Sequence, residues 1–180
     1  MGFYRESSEP TTFLAATLLD SVIDLLQAKL VSTQVVVDRQ YDDLLQITAV
    51  FGELRQVISN LMLNSLDAIG EGGRLALRAS TSRNPLDGSS RIRLTIADDG
   101  QGINAAARQK IFQPFFTTKA STGNGLGLWS ANKYLKSTAV PSACVRAQEI
   151  STEQPFRWSC RFYLADATID LFVHGHLLRD

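Results

Sequence analysis

The sequence predicts an α+β two-layer sandwich, and three observations carry that expectation. Residues 53–69 repeat their apolar side chains at helical spacing. Residues 74–79 and 91–96 alternate apolar with polar side chains, as half-buried strands do. A further helical stretch begins near Leu126, so helices and a hairpin-rich sheet interleave along the chain. With 180 residues and 44% apolar content the chain has enough material for one sizeable core, and a single domain is the expectation.

Taken in order, residues 12–30 place Phe13, Leu14, Leu18, Val22, Leu25 and Leu26 close to a helical period and predict a first helix. Val35-Val36-Val37 and Leu44-Leu45-Gln46-Ile47 are short β-prone runs separated by a polar turn at Asp42 and Asp43. The long helix over 53–69 draws its apolar side from Leu54, Val57, Ile58, Leu61, Met62 and Leu66, and Gly70-Glu71-Gly72-Gly73 stops it. In the next two strands Leu75, Leu77 and Ala79 alternate with Arg74, Ala76 and Arg78, and Ile92, Leu94 and Ile96 with Arg91, Arg93 and Thr95. Asn84-Pro85-Leu86-Asp87-Gly88 between them is hairpin-loop chemistry. Residues 104–112 read as a short helix, followed by a Gly/Ser/Thr loop and the helix near Leu126.

Bulk properties exclude several classes. The formal charge is zero with acids and bases interspersed, which argues against a nucleic-acid or anionic-membrane surface as main partner. No apolar run approaches the roughly 20 residues a bilayer span needs, and the first residues are too polar for a secretory signal. Cys144 and Cys160 lack the paired spacing of a zinc site or a disulfide framework. His174 and His176, near the end of the chain, carry no metal-site pattern of their own.

Three polar motifs stand in one order. The first is Asn60-Leu61-Met62-Leu63-Asn64-Ser65-Leu66-Asp67-Ala68, in which two amides four apart share one helix face and need partners there. A hydrated Mg²⁺ on nucleotide phosphates would supply them, since that ion takes oxygen ligands and keeps several waters. The second is Asp98-Asp99-Gly100-Gln101-Gly102-Ile103, where a carboxylate after a strand can accept an adenine amine and the glycines let backbone approach the base. The third is Gly123-Asn124-Gly125-Leu126-Gly127-Leu128, a glycine turn at a helix start of the kind whose backbone amides bind phosphate. It lacks the Gly-Lys-Ser/Thr of a P-loop and the βαβ unit of a Rossmann site. Phe112-Gln113-Pro114-Phe115-Phe116-Thr117-Thr118-Lys119 lies between the last two, with phenylalanines that read as core on propensity.

This ordered set resembles the catalytic ATP-binding domain of sensor histidine kinases, within the gyrase, heat-shock chaperone, histidine kinase and mismatch-repair ATPase superfamily, and covers residues 11–136. The resemblance implies a Bergerat-type sandwich that binds ATP and Mg²⁺, with Asn64 as metal ligand and Asn60 assisting it. It implies that Asp99 is the adenine-specificity residue, with Asp98 flanking it. Asp67, Gly100, Gly102, Ile103, Phe112, Phe115, Thr117, Thr118, Gly123, Gly125, Leu126, Gly127 and Leu128 complete the implied nucleotide site. Phe112 to Phe116 would hinge a lid, and Lys119 is the candidate cation for the γ-phosphate.

Hydrolytic members of the superfamily carry a water-activating glutamate four residues before the metal-binding asparagine. Here that place is Asn60, which cannot act as a general base, so transfer to a histidine is expected over hydrolysis. Its bearer would be a separate helical segment in a two-component system, with a response regulator downstream and dimerisation through a segment other than this one. Residues 1–10 resemble the end of a preceding helix. A cytoplasmic location is expected, with membrane tethering of the intact protein left open. The alternatives are a hydrolytic ATPase of the same fold and a catalytically silent nucleotide-binding remnant.

The resemblance keeps step through Lys136 and is then lost. Family members continue with nine variable residues, His-Gly-Gly, a strand, and a last strand ending in Leu-Pro. Codons formed from the third base of one residue and the first two of the next permit His-Gly-Gly-Ser from Ser137 onward, then Ile-Arg-Val-Arg-Ser, and Thr-Phe-Ser-Val-Val-Leu-Pro from Gln154 onward. One base lost after the Lys136 codon would explain all three, so residues 137–180 are expected to be out of frame and the C-terminal strands missing or disrupted; the alternative is a genuinely divergent C-terminus. Phe156, Trp158, Phe162, Tyr163, Leu171 and Phe172 would then collapse without specific packing.

Overall fold

The computed structural model describes residues 9–42, 44–83, 88, 90–103, 107, 110–117, 125–138, 146–147, 160–161 and 169–175. The expected first helix is instead a strand followed by two helices: β1 (Thr11–Leu14), α1 (Ala15–Leu25) and α2 (Gln27–Thr33). Phe13 and Leu14 share the helical phase of Leu18 and Val22 by spacing alone. A long-range partner overrides that local signal, because β1 pairs antiparallel with β3 (Gln46–Ala49), with Phe13 opposite Ile47. Leu18, Leu19, Val22, Ile23 and Leu26 supply the buried side of this region, whereas Leu25 is 64% exposed.

Strand β2 (Val36–Tyr41) begins one residue after Val35, which is itself buried. The Asp42 turn forms as expected, its carboxylate accepting the Leu44 N–H at 2.8 Å. It uses up Leu44, which is 81% exposed and stands before β3 rather than in it. Helix α3 (Phe51–Ile69) runs along the amphipathic stretch and buries Leu54, Val57, Ile58, Leu61, Met62 and Leu66. Gly70 ends it, with its N–H on the Leu66 carbonyl at 3.1 Å.

Strands β4 (Arg74–Arg83) and β5 (Ser90–Asp98) pair antiparallel, with Leu77 opposite Ile96 and Leu75 opposite Asp98. The expected hairpin loop at 84–88 lies almost wholly outside the described residues. β2 joins β4 in parallel, giving the order β2-β4-β5. Leu75, Leu77, Ala79, Leu94 and Ile96 are buried in one core with α1 and α3, which is the two-layer arrangement. α4 (Gly127–Thr138) packs on α3 and buries Ala131. Of the expected helix over 104–112, the described residues show one turn, in which Ile111 N–H reaches the Ala107 carbonyl at 3.0 Å.

Tyr41 fastens β2 to α1 by donating to Asp20 at 2.5 Å, and Arg39 reaches the same carboxylate at 3.1 Å. Burial and the neighbouring Asp20 push the Tyr41 phenol well above its usual range.

Past α4 the main sheet continues in an unexpected way. β8 (Ile169–Gly175) lies parallel to β5, placing Leu171 opposite Leu94 and Phe172 opposite Thr95. These two residues therefore stand in a regular ladder rather than an unspecific collapse. Phe156, Trp158, Phe162 and Tyr163 lie outside the described residues. β6 (Arg146–Ala147) and β7 (Cys160–Arg161) form only a two-residue ladder apart from the main sheet.

Candidate functional site

The site is built where the end of β5 meets the last turns of α3. Side chains alternate along a strand, so Leu94, Ile96 and Asp98 point to one face, the one covered by helices. Asp98 is 5% exposed, and its carboxylate accepts the Gly100 N–H at 3.1 Å. Asp99 points the other way. It is exposed, and its carboxylate accepts the Arg74 N–H at 2.9 Å, which ties the β5 turn to the start of β4. The resemblance implied Asp99 as the adenine-specificity residue with Asp98 flanking it; in the structure Asp98 is the buried carboxylate and Asp99 the exposed one. Two signals could have found this. The Ile92, Leu94, Ile96 alternation reaches Asp98 in its next step, and an Asp-x-Gly-x-Gly pattern counted back from Gly102 and Gly100 begins at Asp98.

The turn after Asp98 is pressed onto α3. A Cβ on Gly100 would stand 2.5 Å from the Ala68 carbonyl carbon and 2.8 Å from the Ile69 nitrogen, and Gln101 N–H donates to the Ala68 carbonyl at 3.1 Å. Only glycine permits this approach. Gly100→Ala is expected to push the turn off α3 and cost on the order of 2 kcal/mol. Thermal melting checks it, and an unchanged midpoint would mean that the turn and the helix separate without loss.

On α3, Asn60, Asn64 and Asp67 lie at i, i+4 and i+7, within an arc of about 60°. Asn60 is half-buried and engaged on both sides: its Nδ2 donates to the Gly127 carbonyl at 3.4 Å, and its Oδ1 accepts from Gln56 at 3.1 Å. It therefore joins α3 to the first residue of α4. Asn64 is half-buried on the same stripe. Asp67 forms an ion pair with Lys29 of α2, a residue to which sequence analysis assigned no role. That pair is 38 residues apart in sequence, and no local pattern announces it.

Gly125 of the third motif closes against Phe115 and Phe116. Gly125 has φ +65°, and a Cβ there would overlap the Phe115 carbonyl carbon and lie 2.7 Å from the Phe116 nitrogen and oxygen. Both requirements select glycine. Gly125 and the Phe115–Phe116 backbone thus form a narrow neck. Phe112 and Phe116 pack against the core, as do Ile103 and Leu128. Phe115 does not: it is 74% exposed with φ +64°, an uncommon conformation for a bulky residue. Gly102 takes φ +70° beside half-buried Ile103, Leu126 is half-buried, and Thr117 is exposed. Thr118, Lys119 and Gly123 lie outside the described residues.

The parts fit an adenine nucleotide. The turn after the inward carboxylate Asp98 meets α3 at Ala68, the start of α4 meets it at Asn60, and the amides of the α3 stripe lie along the same helix. Among the described residues no three His, Cys, Asp or Glu side chains cluster as a metal cage. Among the described residues no helix is long and apolar enough to cross a membrane.

Comparison with known proteins gives the same picture. Residues 50–157 match the family described as histidine kinase-, DNA gyrase B-, and HSP90-like ATPase. The sensor histidine kinase ZraS of Escherichia coli O157:H7 is 41% identical over 87 residues, which is 48% of this chain and 18% of that protein. The chain thus spans less than a fifth of that relative's length. The nucleotide-free catalytic domain of histidine kinase ThkA superposes with a TM-score of 0.62 at 28% identity, over 72% of this chain and 81% of that one. Full-length ShkA in complex with AMPPNP superposes with a TM-score of 0.61 at 27% identity, over 73% of this chain and 27% of that one. The chain belongs to the histidine kinase-, DNA gyrase B-, and HSP90-like ATPase family, and its fold and motifs are those of the ATP-binding catalytic domain of two-component histidine kinases.

Proposed function

We propose that this domain binds Mg²⁺-ATP between α3 and the glycine neck and directs its γ-phosphoryl group to a histidine on a separate helical segment. The single observation that carries transfer over hydrolysis is Asn60. It occupies the place of the hydrolytic glutamate, and its amide is committed to Gly127 and Gln56, so it cannot take a proton from water. ATP, when bound, supplies the phosphoryl group. Asp98 accepts the adenine amine, Gly100 and Gly102 let the backbone come near the base, and Asn64 holds Mg²⁺ through its side-chain oxygen. Backbone amides from Gly125 to Leu128 face the phosphates at the start of α4. By the family resemblance, Thr117, Thr118 and Lys119 serve the phosphate end of the nucleotide, with Lys119 the cation for the γ-phosphate. The protein's contribution is positioning and charge stabilisation. The ATP analogue bound in ShkA supports the nucleotide assignment.

The test is direct. Purified protein incubated with Mg²⁺-ATP and a histidine-bearing phosphoacceptor segment should yield acid-labile phosphohistidine, and release of inorganic phosphate without transfer would point to the hydrolytic ATPase. Asn64→Ala should weaken nucleotide binding at least tenfold in Mg²⁺ and far less in chelator, since the lost oxygen ligates the ion. Equal losses with and without metal would make Asn64 structural. A response regulator is the proposed acceptor of the phosphoryl group from that histidine; the solved complex of ThkA with the response regulator TrrA supports this partner class.

We propose as well that residues 137–180 follow a frame change after Lys136, with 11–136 the domain proper and 1–10 the end of a preceding helical segment. What supports this is the ordered recovery of His-Gly-Gly and two strands in the neighbouring frame. Among the described residues of this segment, β8 adds a strand to the main sheet, whereas β6 and β7 pair only with each other. Third bases in the gene incompatible with His-Gly-Gly at this point would overturn it.

A further inference from the structure

The ion pair between Lys29 and Asp67 joins α2 to the polar stripe of α3, and both ends of it are anchored. Thr33 donates its hydroxyl to the Lys29 carbonyl at 2.8 Å, and the Thr33 carbonyl accepts the Gly72 N–H at 2.9 Å. Val36 N–H meets the Gly73 carbonyl at 2.9 Å, and Asp99 holds the next residue, Arg74. The helix that carries Lys29 is thus tied at its end to the loop whose next residue, Arg74, holds Asp99.

Its position along α3 can be read from the contacts of the stripe. Asn60 meets Gly127 at the α4 end, and the Ala68 carbonyl meets Gln101 beside Asp98 at the other. Asp67, next to Ala68, stands toward the nucleoside end, about 10 Å along the axis from Asn60. A carboxylate in a site for a polyanion repels it unless a cation compensates. We propose that Lys29 is a positioning residue of the nucleotide site: it holds and neutralises Asp67, so that the polar stripe of α3 presents less negative charge to a polyanionic ligand. This role rests on the ATP reading above. The two side chains are 34% and 31% exposed, so solvent screens the effect and keeps it modest.

Calorimetry with Mg²⁺-ATP and with adenosine, on the native chain, Lys29→Met, Lys29→Arg, Asp67→Asn and the double variant Lys29→Met/Asp67→Asn, tests it. Lys29→Met is expected to weaken Mg²⁺-ATP binding by about three- to tenfold and adenosine binding by less than about twofold. Lys29→Arg should retain native affinity. Asp67→Asn should bind Mg²⁺-ATP at least as tightly as the native chain, and the double variant should return to within about twofold of it. Raising the salt should shrink the Lys29→Met deficit, because partly exposed charges are screened over about 8–10 Å. Equal losses for Mg²⁺-ATP and adenosine, or a weakened Asp67→Asn, would make the pair a plain structural tie and overturn the role. A native chain that binds neither ligand overturns the ATP reading and this role together. Native binding with an unaffected Lys29→Met overturns this role alone.

Discussion

Asp98→Asn is expected to weaken ATP binding about 30- to 100-fold while leaving the fold intact, and Asp99→Asn is expected to change it less than about threefold. The larger effect follows from burial. A hydrogen bond from a donor to a buried carboxylate is worth about 2–3 kcal/mol, and a neutral amide both accepts more weakly and can turn a donor toward the adenine amine. Folding survives because the Asn oxygen can still accept the Gly100 N–H that Asp98 accepts now. Asp99 is exposed, and its carboxylate faces Arg74 N–H at the start of β4. Losing its charge should register in the melting temperature by about 1 kcal/mol and hardly at all in affinity. Calorimetry on the two variants separates the roles. A large loss in Asp99→Asn beside an unaffected Asp98→Asn would restore the assignment that the motif alone suggested.

That reversal shows what the sequence carries and where it is misread. α3 was legible because its apolar period runs for five turns and Gly70 stops it. β4 and β5 were legible because alternation of Leu75, Leu77 and Ala79 against Leu94 and Ile96 leaves one consistent face. The same alternation, extended by one step past Ile96, puts Asp98 on the buried face and Asp99 on the exposed one. Counting the motif from its nearest aspartate, rather than from its glycines, hid that step.

β1 was not legible, for a different reason. Phe13 and Leu14 fit the helical phase of the residues after them, and what makes them a strand is β3, more than thirty residues away. Nothing local encodes that pairing. Lys29 and Phe115 failed for the same kind of reason. The partner of Lys29 is 38 residues distant, and the exposure of Phe115 depends on how Gly125 closes the neck. Propensity places an aromatic residue in the core; here backbone geometry at φ +64° turns it out. The motifs were found through side-chain chemistry, whereas these contacts belong to tertiary closure.

Inserting one base after the Lys136 codon should raise the melting temperature by about 5–10 °C. In the restored frame the chain would read Ile-Arg-Val-Arg-Ser and then Thr-Phe-Ser-Val-Val-Leu-Pro, two strands with alternating or continuous apolar character. Their Phe, Val and Leu side chains each stabilise by about 1.5–3 kcal/mol when buried, against the entropy of ordering two strands. A net gain of about 2–3 kcal/mol corresponds to that temperature shift in a domain of this size. In the present chain the β5 edge is met instead by β8, which runs parallel to it from Ile169 to Gly175. The restored strands would have to displace β8 or replace it, so hydrogen exchange at the β5 amides from Ile92 to Asp98 reports which segment covers them. Slower exchange there, together with the higher midpoint, is the expected result. Saturating Mg²⁺-ATP at about 100 times its dissociation constant should add about 2.7 kcal/mol by linkage in the restored chain. A restored chain that melts no higher, with β5 amides exchanging as before, would mean that β8 is the native neighbour of β5 and that the frame of residues 137–180 is the true one.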